Sequence, residues 1–117
     1  MVDSQITLLG NKAVTIERML KDYDGADLEK LSYKRSDPNT SVSVYKFRDV
    51  TIEIIYNEYN ETQIGEDIPD QARSNIGIYF KGEEKSIRVA KSFLEKITDV
   101  CFVEGETTKL MKERGIN

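Results

Sequence analysis

The spacing of apolar residues changes several times along this chain, and each change predicts a new secondary-structure element. Apolar residues recur near a period of 3.6 over residues 12–23, which indicates an amphipathic helix that Asn11 is expected to cap. A second helix is predicted to follow Gly82, with Glu83 and Glu84 in the first turn, where acids complement the helix dipole. Its buried stripe consists of Ile87, Ala90, Phe93, Leu94 and Ile97.

Alternation of apolar and polar residues predicts the strands. Two alternating runs, 41–47 and 50–56, are separated by Arg48-Asp49 at the spacing of a hairpin. Less regular patterns predict four further strands, and Asp, Pro and Asn predict a turn before the first run. A short C-terminal helix is predicted to end at Gly115. The four further strands are 5–9, 28–35, 75–81 and 100–103, the turn is 36–39, and the last helix is 106–114.

The predicted element order is β-α-β-β-β-β-α-β, followed by the short C-terminal helix. Hairpin-linked strands with two long amphipathic helices indicate an α+β fold. We expect a two-layer α/β sandwich, in which a largely antiparallel sheet carries both helices on one face. The order resembles an elaborated ferredoxin-like plan, which is a likeness of fold and implies no function. A length of 117 residues suits a single domain, 1–117.

The composition excludes several kinds of active site. The chain has no histidine, so it contains no Ser-His-Asp triad, Cys-His pair or His-based zinc site. Its one cysteine, Cys101, permits no internal disulfide and no cysteine zinc site, and its apolar neighbours predict a small buried hydrophobe. We therefore predict no metal and no cofactor.

Charge and hydropathy narrow the expected partners and location. The net charge is −4, and nucleic-acid binders are usually basic, so a nucleic-acid partner is disfavoured. No apolar stretch approaches the roughly 20 residues of a membrane span. The first ten residues lack the basic start and apolar run of a signal peptide. These patterns predict a cytoplasmic protein with no membrane attachment.

Two segments look like ligand-binding motifs but have the wrong spacing. The run Asp22–Asp27 begins like a calcium loop, yet its glycine falls at position 4 rather than 6, and Tyr33 occupies the position of the bidentate Glu. The run Gly77–Gly82 has the glycine spacing of a P-loop, but Glu83 and Glu84 follow where Lys and Ser or Thr are required. Both are better explained as ordinary turns and element ends.

The segment 57–75 breaks all periodicity and is predicted to be a long acidic loop. It holds five acids and one base, and long connections in compact domains are usually functional or disordered. Isolated apolar residues among acids suit a docking segment for a protein partner, while an unselected surface insertion explains the pattern equally well. The candidate binding residues are Tyr59, Glu61, Ile64, Glu66, Asp67, Ile68 and Asp70.

An alternative binding surface combines basic and aromatic residues on the strands 28–35 and 41–47. If these strands pair, one sheet face carries Tyr33, Lys34, Arg35 and Tyr45, which resembles how some small domains stack single-stranded RNA. The competing interpretation is that the aromatic residues face the core.

The sequence favours a non-enzymatic protein-interaction module. The alternatives are a small-ligand-binding regulatory module, a single-stranded RNA binder, and an enzyme that uses carboxylates. For the enzyme, the candidate acids are Glu53 on a strand and Glu66, Asp67 and Asp70 in the loop, but nothing in their spacing selects a pair.

Overall fold

The computed structural model describes residues 2–59, 73–102 and 106–110, and it describes only the backbone of residue 2 and of 106–110. Eight elements follow one another within these ranges. They are β1 (Val2–Leu9), α1 (Gly10–Asp22), β2 (Glu29–Asp37), β3 (Thr40–Phe47), β4 (Val50–Glu58), β5 (Ser74–Gly82), α2 (Glu84–Thr98) and β6 (Glu106–Leu110).

The described strands form one six-stranded sheet in the order β2-β3-β4-β5-β1-β6, and each neighbouring pair is antiparallel. Two-residue turns at Pro38-Asn39 and Arg48-Asp49 join β2, β3 and β4 into a meander. Ile54 lies at the centre of this sheet, where it pairs with Ser43 on one side and Ile78 on the other. The sheet order therefore puts β1 between the two strands that α2 connects.

One face of the sheet and the two helices enclose the core. Alternate residues of β4 are buried, as a strand with one covered face requires. Helix α1 contacts β1 and β5, α2 contacts β4 and β5, and the helices contact each other. The largest fully buried side chains come from both layers and include Phe80, Phe102, Ile6, Ile16, Leu20, Ile52, Ile76 and Leu94.

The prediction of a small α+β domain with an antiparallel sheet and two helices is confirmed. The start of α1 differs from the prediction, because the helix begins at Gly10, directly after β1, with Leu9 at the N-cap and no side-chain cap bond. Asn11 therefore lies inside the helix, and its predicted capping role is wrong. Gly10 makes the direct strand-to-helix connection with a φ of 64°, a value that glycine adopts without steric cost.

The C-terminal predictions are wrong in two respects. Residues 100–102 are not a strand, and Glu106–Leu110 is a strand that pairs with β1 rather than the start of a helix. The unpaired edge of β1 explains this, since ladder hydrogen bonds outweigh the weak helix propensity of a segment with two adjacent threonines. Residues 111–114 of the predicted helix lie outside the described residues. Cys101 is exposed, so its predicted burial is also wrong, and Phe102 is buried instead. Residue 103 of the predicted strand lies outside the described residues.

The strands β4 and β5 extend into the segment predicted as a loop. Residues 57–58 belong to β4 and residues 74–75 belong to β5, because the ladder between these strands continues to the pair of Glu58 and Ser74. Beyond it, the backbone N–H of Tyr59 donates to the carbonyl oxygen of Arg73 at 2.8 Å. The connection is thus shorter than predicted, and residues 60–72 lie outside the described residues.

Neither helix in the described ranges is long and apolar enough to cross a membrane. The cytoplasmic location stays a prediction.

Candidate functional site

The edge strand β2 is exposed along its whole length. All nine of its residues are exposed, including Leu31 and Tyr33, of which about half of each is accessible to solvent. Among the described strands β2 pairs only with β3, so its other edge carries backbone donors and acceptors without a strand partner. The ladder to β3 shifts register near residues 31 and 36, which leaves Ser32–Arg35 as its uninterrupted stretch.

The register of β2 shows which of its side chains lie on the helix side of the sheet. Tyr33 pairs with Ser43 and Arg35 pairs with Ser41, and both serines are buried on the core face. Side chains of paired residues lie on the same face, so Tyr33 and Arg35 also lie on the helix side. Lys34, between them, lies on the opposite face. The predicted basic and aromatic residues are therefore divided between the two faces.

The first cavity beside β2, which we call the aromatic cavity, has a volume of about 340 Å³. It lies between the last turns of α1 and the strands β2 and β3. The Nζ atom of Lys21 lies 6.0 Å from the centre of the Tyr33 ring, and the Nζ atom of Lys30 donates to the Lys21 carbonyl oxygen at 2.9 Å. The lining residues are Lys21, Lys30, Leu31, Ser32, Tyr33, Ser43 and Tyr45.

The second cavity, which we call the polar cavity, has a volume of about 370 Å³ and shares Lys21 with the first. Its walls come from α1, from the β2–β3 turn and from the end of β4. The charged residues that line it carry both signs, and the hydroxyls of Ser41 and Tyr56 also line it. The charged residues are Glu17, Arg18, Lys21, Arg35 and Glu58.

Glu17 is the half-buried acid of the polar cavity. The hydroxyl of Ser41 donates to its Oε2 atom at 3.4 Å. Burial raises the pKa of Glu17 above the usual glutamate value, and Glu58 acts in the same direction, while the Ser41 bond and the charges of Lys21 and Arg35 oppose the rise. The carboxyl group is thus held in an environment that disfavours its charged form.

Tyr56 and Tyr45 lie on the floor of the two cavities, and each phenol is held in its neutral form. The hydroxyl of Tyr56 donates to Oε1 of Glu58 at 2.5 Å, and burial together with this bond raises the pKa of Tyr56 to about 12. Burial also raises the pKa of Tyr45, and the nearby Glu17 carboxylate adds to the rise. Both phenols therefore stay protonated at neutral pH, and Tyr56 is a hydrogen-bond donor to Glu58.

Sequence reasoning missed Glu17 and Glu58, although one signal was present. Helix-side positions of β3 read Ser41, Ser43, Tyr45 and Phe47, so two small polar residues stand where an alternating strand usually has large apolar ones. Small side chains leave space beneath α1, and that space is where the cavities lie. Glu17 itself looked like an ordinary polar residue of an amphipathic helix.

The predicted loop site falls almost entirely outside the described residues. Tyr59, which is half-buried, is described, whereas Glu61, Ile64, Glu66, Asp67, Ile68 and Asp70 are not. Glu53 is exposed on the face of the sheet opposite the helices, where it pairs with Val44 and Tyr79. Within the described ranges, no three His, Cys, Asp or Glu residues come together in a way that could hold a metal ion.

No protein-family model, no curated protein and no solved structure matches this chain.

Proposed function

We propose that this domain binds other proteins, and that it takes an extended segment of its partner along the edge of β2. The observation that supports this proposal is the nine-residue edge strand with every residue exposed, next to a cavity on its helix side. In this mode of recognition, main-chain hydrogen bonds supply affinity and side-chain pockets supply specificity. The stretch Ser32–Arg35 offers the regular backbone, and the aromatic cavity offers the pocket.

The register shift near residue 31 supports the same function. A bulge interrupts the alternation of side chains, and Lys30, Leu31 and Tyr33 all line the aromatic cavity as a result. An exposed, flat and uninterrupted edge would promote aggregation, whereas a short regular stretch between two irregularities limits pairing to a few residues. The edge therefore suits reversible association with one segment.

The test selects binders from a random library of extended peptides and maps them by amide hydrogen exchange. Strand addition protects those β2 amides whose N–H groups point away from β3, so alternate residues within 32–35 should exchange more slowly in the complex. The edge strand β6 is the internal control and should not change. Selected peptides that protect another surface, or a selection that enriches nothing above the bare support, would overturn the proposal.

We also propose that the acidic loop predicted at 57–75 contributes to the binding of a protein partner. The hydrogen bond between Tyr59 and Arg73 brings its two ends together, so an Asn-Gly turn can replace residues 60–72 without opening the β4–β5 ladder. We expect this variant to fold and to lose a specific association. Retention of every association of the full chain would remove the segment from the function.

A second candidate function is the binding of a small ligand in the polar cavity. It is favoured by Glu17, a half-buried carboxyl group that faces Arg35 and the Ser41 hydroxyl in a concave site. A ligand with both a cationic and an anionic group would complement this lining. Thermal-shift measurements with a panel of free amino acids, which carry both groups, on wild type and on Glu17→Gln, test it, and equal responses of the two proteins would count against it.

We also infer that the domain follows an elaborated ferredoxin-like plan. The order β4-β5-β1-β6, in which β1 lies between the strands joined by α2, supports this inference. The strands β2 and β3 are then an addition to that plan, beyond the strands that the helices mainly contact. The inference concerns the fold alone, since such folds host many functions.

A further inference from the structure

We propose that the segment bound by β2 is acidic and inserts an apolar side chain into the aromatic cavity. This inference rests on the proposed function and names the chemistry of the partner. The charged residues that line the aromatic cavity are Lys21 and Lys30, and no carboxylate lines it. A carboxylate on the partner segment would therefore meet the two lysines that line the cavity, in a site partly shielded from water.

The uninterrupted stretch of β2, Ser32–Arg35, is also positively charged. Between the two register shifts, Lys34 and Arg35 are the charged residues, and the acids of the strand, Glu29 and Asp37, lie at its two ends. A strand paired along residues 32–35 would place its own side chains directly opposite these cations. Opposite charges on neighbouring strands are favourable and like charges are unfavourable, so acids are selected on the partner.

The walls of the aromatic cavity indicate that the inserted side chain of the partner is apolar. Leu31 and Tyr33 are large side chains that remain about half exposed, and Tyr45 closes the floor with only 6% of its surface accessible. A side chain that enters between them removes apolar surface from water on both partners. The volume of about 340 Å³ is ample for one apolar side chain such as leucine or valine.

Single-stranded RNA fits this surface less well than an acidic peptide. Successive bases need successive exposed rings, and Tyr33 is the exposed ring here, whereas Tyr45 and Phe47 are buried. The backbone edge of β2, in contrast, gives a peptide strand a main-chain partner that a nucleic acid cannot use.

The experiment measures fluorescence anisotropy with three labelled peptides of about eight residues, the usual length of a strand. The first alternates Asp or Glu with Val around a central Leu, the second replaces each acid by Lys, and the third replaces each acid by Ser. We expect the acidic peptide to bind about tenfold more tightly than the serine peptide, with a difference that shrinks as salt is added. A uridine oligonucleotide serves as the nucleic-acid probe.

Matched variants test whether the lysines of the aromatic cavity cause the preference for the acidic peptide. Lys21→Gln and Lys30→Gln should each bring the affinity for the acidic peptide towards that for the serine peptide, and Lys81→Gln, on the opposite face, should leave it unchanged. Circular dichroism verifies that each variant is folded.

The outcomes separate this inference from the proposed function. Equal binding of the acidic and serine peptides, with protection of β2 amides, would overturn the inference and leave the function standing. Tighter binding of the oligonucleotide than of the acidic peptide would overturn the inference as well. Failure of the acidic peptide to bind would overturn the inference, whereas the peptide selection with hydrogen exchange described above decides the proposed function separately.

Discussion

Lys30 on β2 donates a hydrogen bond from its Nζ atom to the backbone carbonyl oxygen of Lys21, at 2.9 Å, in the last turn of α1. Carbonyl groups in the last turn of a helix have no partner within the helix, and a cation there interacts favourably with the helix dipole. The contact joins the exposed edge strand to the helix layer, and both residues line the aromatic cavity.

Loss of this contact should lower stability slightly. We expect Lys30→Met to decrease the free energy of unfolding by about 0.5 kcal/mol, because the bond is solvent-exposed and its net contribution is small. Lys34→Met on the opposite face of the same strand is the matched control and should change stability by less. Urea denaturation of both variants measures the difference, and equal values would show that the contact contributes nothing.

Glu17 should make stability depend on pH with a defined sign. Its pKa in the folded protein is raised, so the folded state binds more protons than the unfolded state just above the ordinary glutamate pKa. The contribution of Glu17 to stability therefore falls as the pH rises through that window, from about pH 4 towards neutrality. Glu17→Gln should gain stability relative to wild type between these limits.

The measurement is the free energy of unfolding of both proteins from about pH 4 to pH 7. Glu53→Gln, an exposed acid on the opposite face, serves as the control and should show no such trend. A difference between Glu17→Gln and wild type that does not change with pH would mean that burial of Glu17 has no effect on its protonation.

Substitutions at Gly10 and Asn11 test whether α1 begins at Gly10 or is capped by Asn11. Gly10→Ala should destabilise the protein by about 1–2 kcal/mol, because a φ of 64° is costly for a residue with a Cβ atom. Asn11→Ala should be nearly neutral, since Asn11 is exposed within the helix. A loss of about 1 kcal/mol on Asn11→Ala would instead indicate the capping role that the sequence predicted. Thermal unfolding of the two variants decides between these outcomes.

Asp99 ends α2 in the left-handed conformation, with φ of 56° and ψ of 36°, and its backbone N–H donates to the Glu95 carbonyl oxygen. Glycine is the preferred residue for this position of a helix end. We expect Asp99→Gly to stabilise the protein by about 1 kcal/mol. Lys96→Gly, which lies within the last turn, should have the opposite effect, because glycine lowers helix stability there. Chemical denaturation that shows both substitutions to be destabilising would contradict the assigned helix end.

Part of the candidate site could be predicted from the sequence. Tyr33, Arg35 and Tyr45 could be grouped from the sequence because the predicted turn at 36–39 lets strands 28–35 and 41–47 pair, and paired side chains lie on one face. Lys34 lies on the opposite face of the sheet from Tyr33 and Arg35, and the same alternation predicts this once the core face is known. Glu17 could not be added, since its position beside Ser41 depends on where α1 crosses the sheet.

The sequence by itself determined the α+β fold class and the position of most helices and strands. Period-2 and period-3.6 patterns report which side chains are buried within one element, and that information is local. Only the tertiary structure decided that residues 106–110 pair with β1 and that β2 is left uncovered beside two cavities. These features arise from which elements become neighbours, and an open sheet edge or a space beneath a helix is a property of two distant segments together.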